Sequence, residues 1–572
     1  MKTLRPLFIL TFILTINISF GQGYLKVDGK RIVDEKGNNI LLRGMGLGGW
    51  MLQEGYMLRV EKIGQQQHVI RKNIADLIGT QKTEVFYDTW LANHTRKIDI
   101  DSMASWGFNS IRLAMHYNLY TLPVEKEPIA GQNTWIEKGF AMTDSLLTWC
   151  KANKMYLILD LHGAPGGQGG DLNIADRDPS LPSLWQSEAN KQKMIALWRK
   201  VVERYVNEPW IAAYDIINEP NWGFEKADDK NGCAEEKNAP LRQLMMDITK
   251  TIREVDTKHI IIIEGNCWGN NYKGVFPLWD NNLVVSFHKY WSFNNEASIK
   301  GPLDIREQQN VPIWLGESGE NSNPWFRDAI QLIEERNIGW AWWPLKKLGY
   351  NNPLQVRMPP DYQKVLDYWA EKGPRPTPAE AERGLMEFAN NLKLENCIYH
   401  KDVIDAMFRE TKSNDTRPFA VNVTSKPVMA ADYDMGRNRY AYMDKDTGNY
   451  WVSGLEGTGN HGHVYRNDGV DIGEANGSYY VDHFESGEWL KYTVSASKAG
   501  SYNVVLNVSS AKLHGKVGVS VNGAKAIEAG VPETKEQWQK VPLGKMNFKK
   551  GQNVIIVSAV EGGFKFQSIE IK

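Results

Sequence analysis

From residue 40 to residue 343 the chain alternates between two textures. Short apolar runs rich in β-branched residues lie at 40–46, 110–115, 155–162, 213–218, 259–264, 283–288, 313–316 and 338–343. Between them, apolar residues recur at helical spacing in 134–153, 184–206, 241–255 and 324–336, and a further such stretch at 359–371 follows the eighth run. Runs of this length read as buried strands and the stretches between them as amphipathic helices. Eight strands alternating with helices predict an α/β fold, a closed (β/α)8 TIM barrel, and ~350 residues suits that barrel with insertions. The rival is an open, doubly wound sheet, but no glycine-rich phosphate fingerprint follows the first strand.

Outside this region the texture changes. Residues 25–33 carry a hairpin signature around Asp28-Gly29. Residues 377–390 and 398–409 predict helices appended to the barrel, and the polar, turn-rich stretch 411–426 reads as a linker. Beyond it, short alternating segments at 479–481, 489–494, 502–508, 517–521, 553–558 and 566–571 are separated by Gly and Asn turns. Strands at that spacing without helices predict an all-β sandwich, jelly-roll-like, over 427–572. The barrel with its appended helices is expected over 22–410. Residues 1–21 read as a secretory signal, with Lys2 and Arg5 before an apolar stretch and the small Gly21 at its end. Thr11, Thr15, Asn17 and Ser19 interrupt that stretch and leave it short of a membrane span. A secreted or periplasmic protein is expected, with no membrane partner after signal removal.

Composition narrows the partners. A net charge of −1 gives no support for nucleic acid or an anionic membrane surface. The 21 Trp and 23 Tyr read first as core, but an excess of aromatics is also what sugar binding uses, because aromatic faces stack on the C–H faces of sugars. Cys150, Cys233, Cys267 and Cys397 match no metal spacing; they leave three disulfide pairings open beside buried free thiols. A monomer is expected.

Candidate chemistry collects at the ends of the runs, which in a barrel all face one mouth. Arg112 lies in the second run and His162 ends the third. Asn218 and Glu219 end the fourth, in Asn-Glu-Pro. His288 and Tyr290 end the sixth, Glu317 the seventh and Trp343 the eighth. Singly, each has a plain reading as an ion-pair residue, a satisfied imidazole or a core ring. Drawn from six of eight strands, they make a site. Strands four and seven lie on opposite sides of a small barrel, so Glu219 and Glu317 face each other across a cleft. Paired carboxylates suit glycoside hydrolysis, in which one protonates the leaving oxygen and the other attacks the anomeric carbon or activates water. A guanidinium from Arg112 beside Glu317 favours its charged form. Asn218 is placed to hold a sugar hydroxyl, and Trp343 to floor a subsite. Glu264 and Glu320 are rival carboxylates. No metal is expected in the barrel, because His162 and His288 lack a third ligand at suitable spacing, and no organic cofactor is implied.

These segments resemble glycoside hydrolase family 5, the cellulase family of the 4/7-barrel clan, over roughly residues 25–375. The resemblance implies Glu219 as acid/base, Glu317 as nucleophile, and Arg112, His162, Asn218, His288, Tyr290 and Trp343 as substrate-site residues. Arg43-Gly-Met-Gly-Leu-Gly-Gly-Trp50 and Asp160-Leu-His-Gly-Ala-Pro-Gly-Gly-Gln168 look like the family's exo-β-1,3-glucanase branch, which points to Glu54 as a further substrate contact. The C-terminal part is similar to carbohydrate-binding modules of family 6, through Tyr465-Arg-Asn-Asp-Gly-Val-Asp-Ile, Gly487-Glu-Trp-Leu-Lys-Tyr492 and Gly562-Gly-Phe564. That likeness implies a sugar cleft with Trp538 on one side and His483 in the place of the second aromatic. It also allows a structural calcium near Ala430-Ala-Asp432-Tyr433. The combined expectation is a secreted retaining β-glycosidase acting on a β-glucan by double displacement. Its alternatives are a β-mannanase or other β-glycan hydrolase, or a non-catalytic glycan-binding protein.

Overall fold

The computed structural model describes residues 23–226, 228–445, 461–511 and 515–572, so the expected signal segment lies outside the described residues. Eight parallel strands close into a barrel. They are β1 (Arg43–Gly46), β2 (Ser110–His116), β3 (Tyr156–Gly163), β4 (Ile211–Asp215), β5 (Ile260–Ile263), β6 (Leu283–Lys289), β7 (Ile313–Gly319) and β8 (Gly339–Trp343). Each pairs with its neighbour in sequence, and β8 returns to β1. The expected helices form at Glu137–Ala152, Glu188–Tyr205, Ala239–Arg253 and Asn323–Glu334. β5 is four isoleucines, all buried, as a strand covered on both faces requires.

The barrel interior changes character along its axis. At one level Ile158, Ala213, Ile260, Ile262, Val284, Trp314 and Ala341 fill it with apolar volume, and Leu25 and Ile32 of the leading hairpin join the same cluster. Nearer the C-terminal strand ends, the filling becomes ionic: Arg112, Asp160, Asp215 and Glu264 are fully buried. Strand register slips between Met115 and His116, between Phe287 and His288, and between Trp340 and Trp342. Such bulges at a barrel rim re-aim side chains. The second sets His288 opposite Glu317 instead of one residue out of step.

The C-terminal region is a sandwich of two sheets. One runs Asn422–Val423, Trp489–Ala496, Gly551–Glu561, Gly515–Val521 and Ile527–Val531; the other Ile472–Ala475, Ser478–Phe484, Phe564–Ile571, Gly500–Ser509 and Gln539–Phe548. Val494, Val504, Leu506, Ile555, Val557 and Phe566 lie in its core. The stretch read as a linker is partly absorbed into the sandwich: Asn422–Val423 adds a parallel edge to Trp489–Ala496, and Arg417 bridges Met435. The sandwich is also docked on the barrel. Buried Asn467 gives its carbonyl to the Asn323 N–H at 2.7 Å, and its side chain donates to Asn321 O and Asn323 Oδ1 at 3.0 Å each. Tyr350 and His463 meet at 2.8 Å. The contact falls on the helix that follows β7, the strand carrying Glu317.

Candidate active site

Arg112 organises the mouth. Its guanidinium projects from β2 and is fully buried, so five donors need acceptors. It donates to Asp215 through Nε at 3.0 Å and Nη2 at 2.9 Å, to Asn218 Oδ1 at 2.7 Å, to Glu264 at 3.2 Å and to Glu317 Oε2 at 2.8 Å. Asp160 lies 3.3 Å from Nη1. Burial by itself would lower the Arg112 pKa; the surrounding carboxylates reverse that and hold it well above its ordinary value. Burial, with the Glu264 charge beside it, pushes Asp215 well above the carboxylate range. One cation thus ties together residues from strands two, three, four, five and seven.

Glu317, in β7, has a donor on each oxygen: Arg112 at 2.8 Å on Oε2 and the Tyr290 hydroxyl at 2.8 Å on Oε1. Burial raises its pKa, with His288 and Arg112 opposing the rise and the Glu219 charge adding to it. Glu219 stands just beyond β4 with φ at 42°, a left-handed conformation that a side chain such as Glu rarely adopts. That backbone is held from behind, because Glu219 N–H donates to Glu264 Oε2 at 2.7 Å. On its other side, His288 Nδ1 lies 2.6 Å from Glu219 Oε1. One oxygen of Glu219, one of Glu317 and a ring nitrogen of His288 all lie within 4.8 Å of one another.

Glu264 is the residue that strand-by-strand reading undervalued. It touches Glu219, Arg112 and, at 3.2 Å, His288 Nε2. Burial would raise its pKa, but His288 and Arg112 hold it down to about 2. In return Glu264, with Glu219, overcomes the effect of burial on His288 and raises that imidazole well above its ordinary value. The available signal was position, since Glu264 ends an apolar run just as Glu219 does. Asp160 and Asp215, also missed, sit inside apolar runs, where a carboxylate needs a buried partner.

An aromatic wall completes the mouth. Trp343 stacks on His162 with centroids 4.9 Å apart and rings 11° from parallel, and its indole donates to Tyr56 Oη at 3.1 Å. The glycines of the Arg43–Trp50 stretch make room for it: a Cβ on Gly46 or Gly48 would lie 2.5 or 2.4 Å from the Trp343 ring. His162 is oriented by Asp160 at 2.8 Å and meets Asn218 Nδ2 at 3.3 Å. Glu54, Tyr56, His162, Glu219, His288, Tyr290, Glu317, Glu320 and Trp343 line one cleft of about 610 Å3. Burial, with the neighbouring Glu317 charge, lifts Glu54 well above the carboxylate range. Glu320 is engaged by Lys347 Nζ at 2.5 Å. Cys233 and Cys267 form a disulfide that joins the insertion after β4 to the loop after β5, while Cys150 and Cys397 are buried thiols.

The half-buried Trp538 meets Tyr480, centroids 5.4 Å apart, whereas His483 stacks on His461 at 4.6 Å. Among the described residues Trp538 and His483 do not form an aromatic pair. Asp432 accepts the Tyr465 hydroxyl at 2.5 Å. It belongs to neither cluster of three metal-capable side chains among the described residues.

Comparison with known proteins agrees with this geometry. Residues 71–349 match the model of cellulase, glycosyl hydrolase family 5, and residues 466–571 match that of a carbohydrate-binding module of family 35. Family 35 thus stands where the sequence resembled family 6. The chain is 25% identical over 389 residues to a beta-xylosidase of Phanerodontia chrysosporium, covering 61% of this chain and 77% of that protein. It is 23% identical over 384 residues to endoglucanase C of Acetivibrio thermocellus, covering 56% and 96%. A probable glucan 1,3-beta-glucosidase A of Aspergillus clavatus is a distant relative, 25% identical over 294 residues and covering 48% and 64%. By these matches the chain is a glycoside hydrolase, with a barrel similar to glycosyl hydrolase family 5 and a sandwich similar to carbohydrate-binding modules of family 35.

Proposed function

We propose that the protein is a secreted, retaining β-glucan hydrolase working by double displacement. The observation that carries this reading is the approach of Glu219 and Glu317 oxygens within 4.8 Å across the cleft. Retaining glycosidases hold their carboxyl groups ~5–5.5 Å apart, whereas inverting ones need ~6.5–9.5 Å to fit a water between them. Glu317 attacks the anomeric carbon as Glu219 gives its proton to the departing glycosidic oxygen, so the C–O bond to the leaving sugar breaks and a glycosyl ester forms. Glu219 then takes a proton from water, which attacks the same carbon and releases Glu317.

The surroundings suit these roles. Two donors on Glu317 stabilise its charged form, against the burial that raises its pKa. Its ionisation sets the acid limb of kcat/KM, which is expected above the ordinary carboxylate value. Glu219 meets His288 Nδ1 at 2.6 Å, which fixes the orientation of its carboxyl group. His162 faces the sugar ring bound at the centre with Asn218 buried against it, Trp343 floors that subsite, and Glu54 extends it. Trp538, beside Tyr480, offers the sandwich a sugar-stacking face.

Release of reducing sugar from β-1,3-, β-1,6-, β-1,4- and mixed-linked glucans and from β-mannan, by wild type and by Glu317→Gln, tests the reading. The expected result is hydrolysis of a glucan, a product that keeps the β-configuration by NMR, and a loss of at least about 10^4-fold in the variant. Inversion would overturn the mechanism, preference for mannan would overturn the substrate class, and equal rates would overturn the nucleophile.

A further inference from the structure

The sandwich gathers three metal-ligating side chains away from the barrel mouth. His461 Nδ1 is 3.0 Å from Asp471 Oδ2, and His483 Nδ1 is 3.9 Å from the same oxygen. One ligand atom from each of the three lies within 4.8 Å of the other two. The carboxylate is fixed in place: Asp471 is buried, its Oδ1 accepts the His461 N–H at 2.6 Å, and its carbonyl accepts the Asp482 N–H at 2.9 Å. His483 is aimed by a bulge. The pairing of Ser478–Phe484 with Phe564–Ile571 slips between Val481 and Phe484, and His483 takes φ of 43°. A non-glycine residue in that conformation stores strain that the surrounding sheet must hold.

Asp471 lies between the two histidines, and His483 Nδ1 is also 3.8 Å from Asp482 Oδ1, which can turn towards the same point. The rings stack with centroids 4.6 Å apart and 20° from parallel. Two imidazolium charges at that separation would repel. A divalent ion accepts both neutral rings and the carboxylate together. A tetrahedral ion with bonds of ~2.0–2.2 Å sets its ligand atoms about 3.3–3.6 Å apart, between the two separations present here. Both imidazoles have side chains more than half exposed, at 54% and 57%, so small rotations can bring them onto an ion.

We propose that His461, Asp471 and His483 form a binding site for a divalent transition ion of the Zn2+ class. Two imidazole nitrogens select such an ion over Ca2+ and Mg2+, which take oxygen ligands. Three protein ligands leave a fourth position open to water.

The test uses the full-length protein after chelator treatment, titrated calorimetrically with ZnCl2 and separately with CaCl2. Expected are one Zn2+ per chain at this site, affinity lowered at least about tenfold by His461→Ala or by His483→Ala, and no displacement by excess Ca2+. Unchanged thermal melting of the metal-free variants separates ligand loss from misfolding. As an independent readout, Co2+ should give the visible bands of a tetrahedral centre in wild type and lose them in the His461→Ala/His483→Ala double variant. No Zn2+ binding by wild type, binding unchanged in the double variant (which places the ion elsewhere, for example on Glu219, His288 and Glu317), or displacement by Ca2+ would each overturn the site.

Discussion

The barrel mouth and the aromatic face of the sandwich both present rings and polar groups, but they are built to different standards of rigidity. In the mouth, Arg112 alone engages Asp215, Asn218, Glu264 and Glu317, and each of those is held again by a neighbour or by its strand. Among the described residues Trp538 has one ring neighbour, Tyr480, and lies half-exposed on a sheet. Bond-breaking needs reacting groups fixed in place before substrate arrives, because reorganisation during the step adds to the barrier. Stacking on a sugar needs only a face. On the proposed function, the carboxylates of the mouth are fixed for chemistry and the half-buried ring of the sandwich is left free for binding, and that division can be broken at either end.

The largest expected effect comes from removing the cation at the centre of the mouth. Arg112→Met keeps much of the side-chain volume but leaves Asp215, Glu264 and Glu317 in contact without their positive partner. Breaking one buried pair in this way costs about 3–5 kcal/mol. Activity should fall by at least about 10^3-fold, since the ionised form of Glu317 loses support as well. Urea unfolding and kcat/KM on the preferred glucan check the two effects together. A variant of near wild-type stability would show the network to be less tightly held than its distances imply.

Most of the fold was legible in the chain. The eight runs were legible because parallel barrel strands are buried on both faces and read as uninterrupted apolar runs, with β5 the clearest. Glu219, Glu317 and Trp343 were legible because an apolar run that stops on a polar or aromatic residue marks a strand end. Asp160 and Asp215 were not, because pairing to Arg112 is a three-dimensional fact with no spacing signature. The short strand within 411–426 was not legible for a related reason: Asn422–Val423 is too short to read as a strand, and becomes one because Trp489–Ala496 offers an edge. In the sandwich, the bulge at His483 shifts register within a strand, which alternation alone cannot locate.

A finer probe of the mouth is Glu264, which does not itself line the cleft but holds Glu219 N–H and His288. Glu264→Gln keeps the shape and an acceptor for the Glu219 N–H while removing the charge. A loss of about 10- to 100-fold is expected at the optimum, below the 10^2–10^4 scale of removing an acid–base group itself. The direction of the pH effect is the sharper readout. Glu264 helps hold the His288 pKa up, so without its charge His288 should deprotonate at lower pH, read from its imidazole NMR signals. A simple packing residue would lower activity without moving that titration.

A smaller effect is expected beside the mouth, at Asp176 in the loop after β3. Its carboxylate lies 2.7 Å from His68 Nδ1 and 3.2 Å from His116 Nε2. Burial would raise its pKa, but these contacts hold it at about 2, below the ordinary 3.8. A depressed carboxylate stabilises the folded state above the ordinary value, and that stability is lost as pH falls through the folded one. The difference between 3.8 and about 2 corresponds to roughly 2 kcal/mol. Asp176→Asn should therefore unfold more readily than wild type at pH near neutral, by about that amount, with the gap closing as pH drops toward 2. A gap independent of pH would assign the loss to packing instead of charge.

The smallest effect is the one that would break the comparison most directly. Trp538 stands outside the buried network, so Trp538→Ala should leave kcat/KM on a soluble oligosaccharide within about twofold of wild type. On insoluble polysaccharide, losing one stacking ring should weaken retention several-fold, in line with ~1 kcal/mol or slightly more for an aromatic contact. Tyr480→Ala should act in the same direction, because the two rings meet. A pull-down on insoluble glucan beside soluble-substrate kinetics separates the two readouts. The docking of Asn467 on Asn321 and Asn323 gives the opposite outcome a physical route, since it ties the sandwich to the helix behind β7. If Trp538→Ala slowed turnover of the soluble substrate as much as it weakened binding to the insoluble one, the sandwich face would be part of the catalytic site, and rigidity would no longer divide the molecule by task.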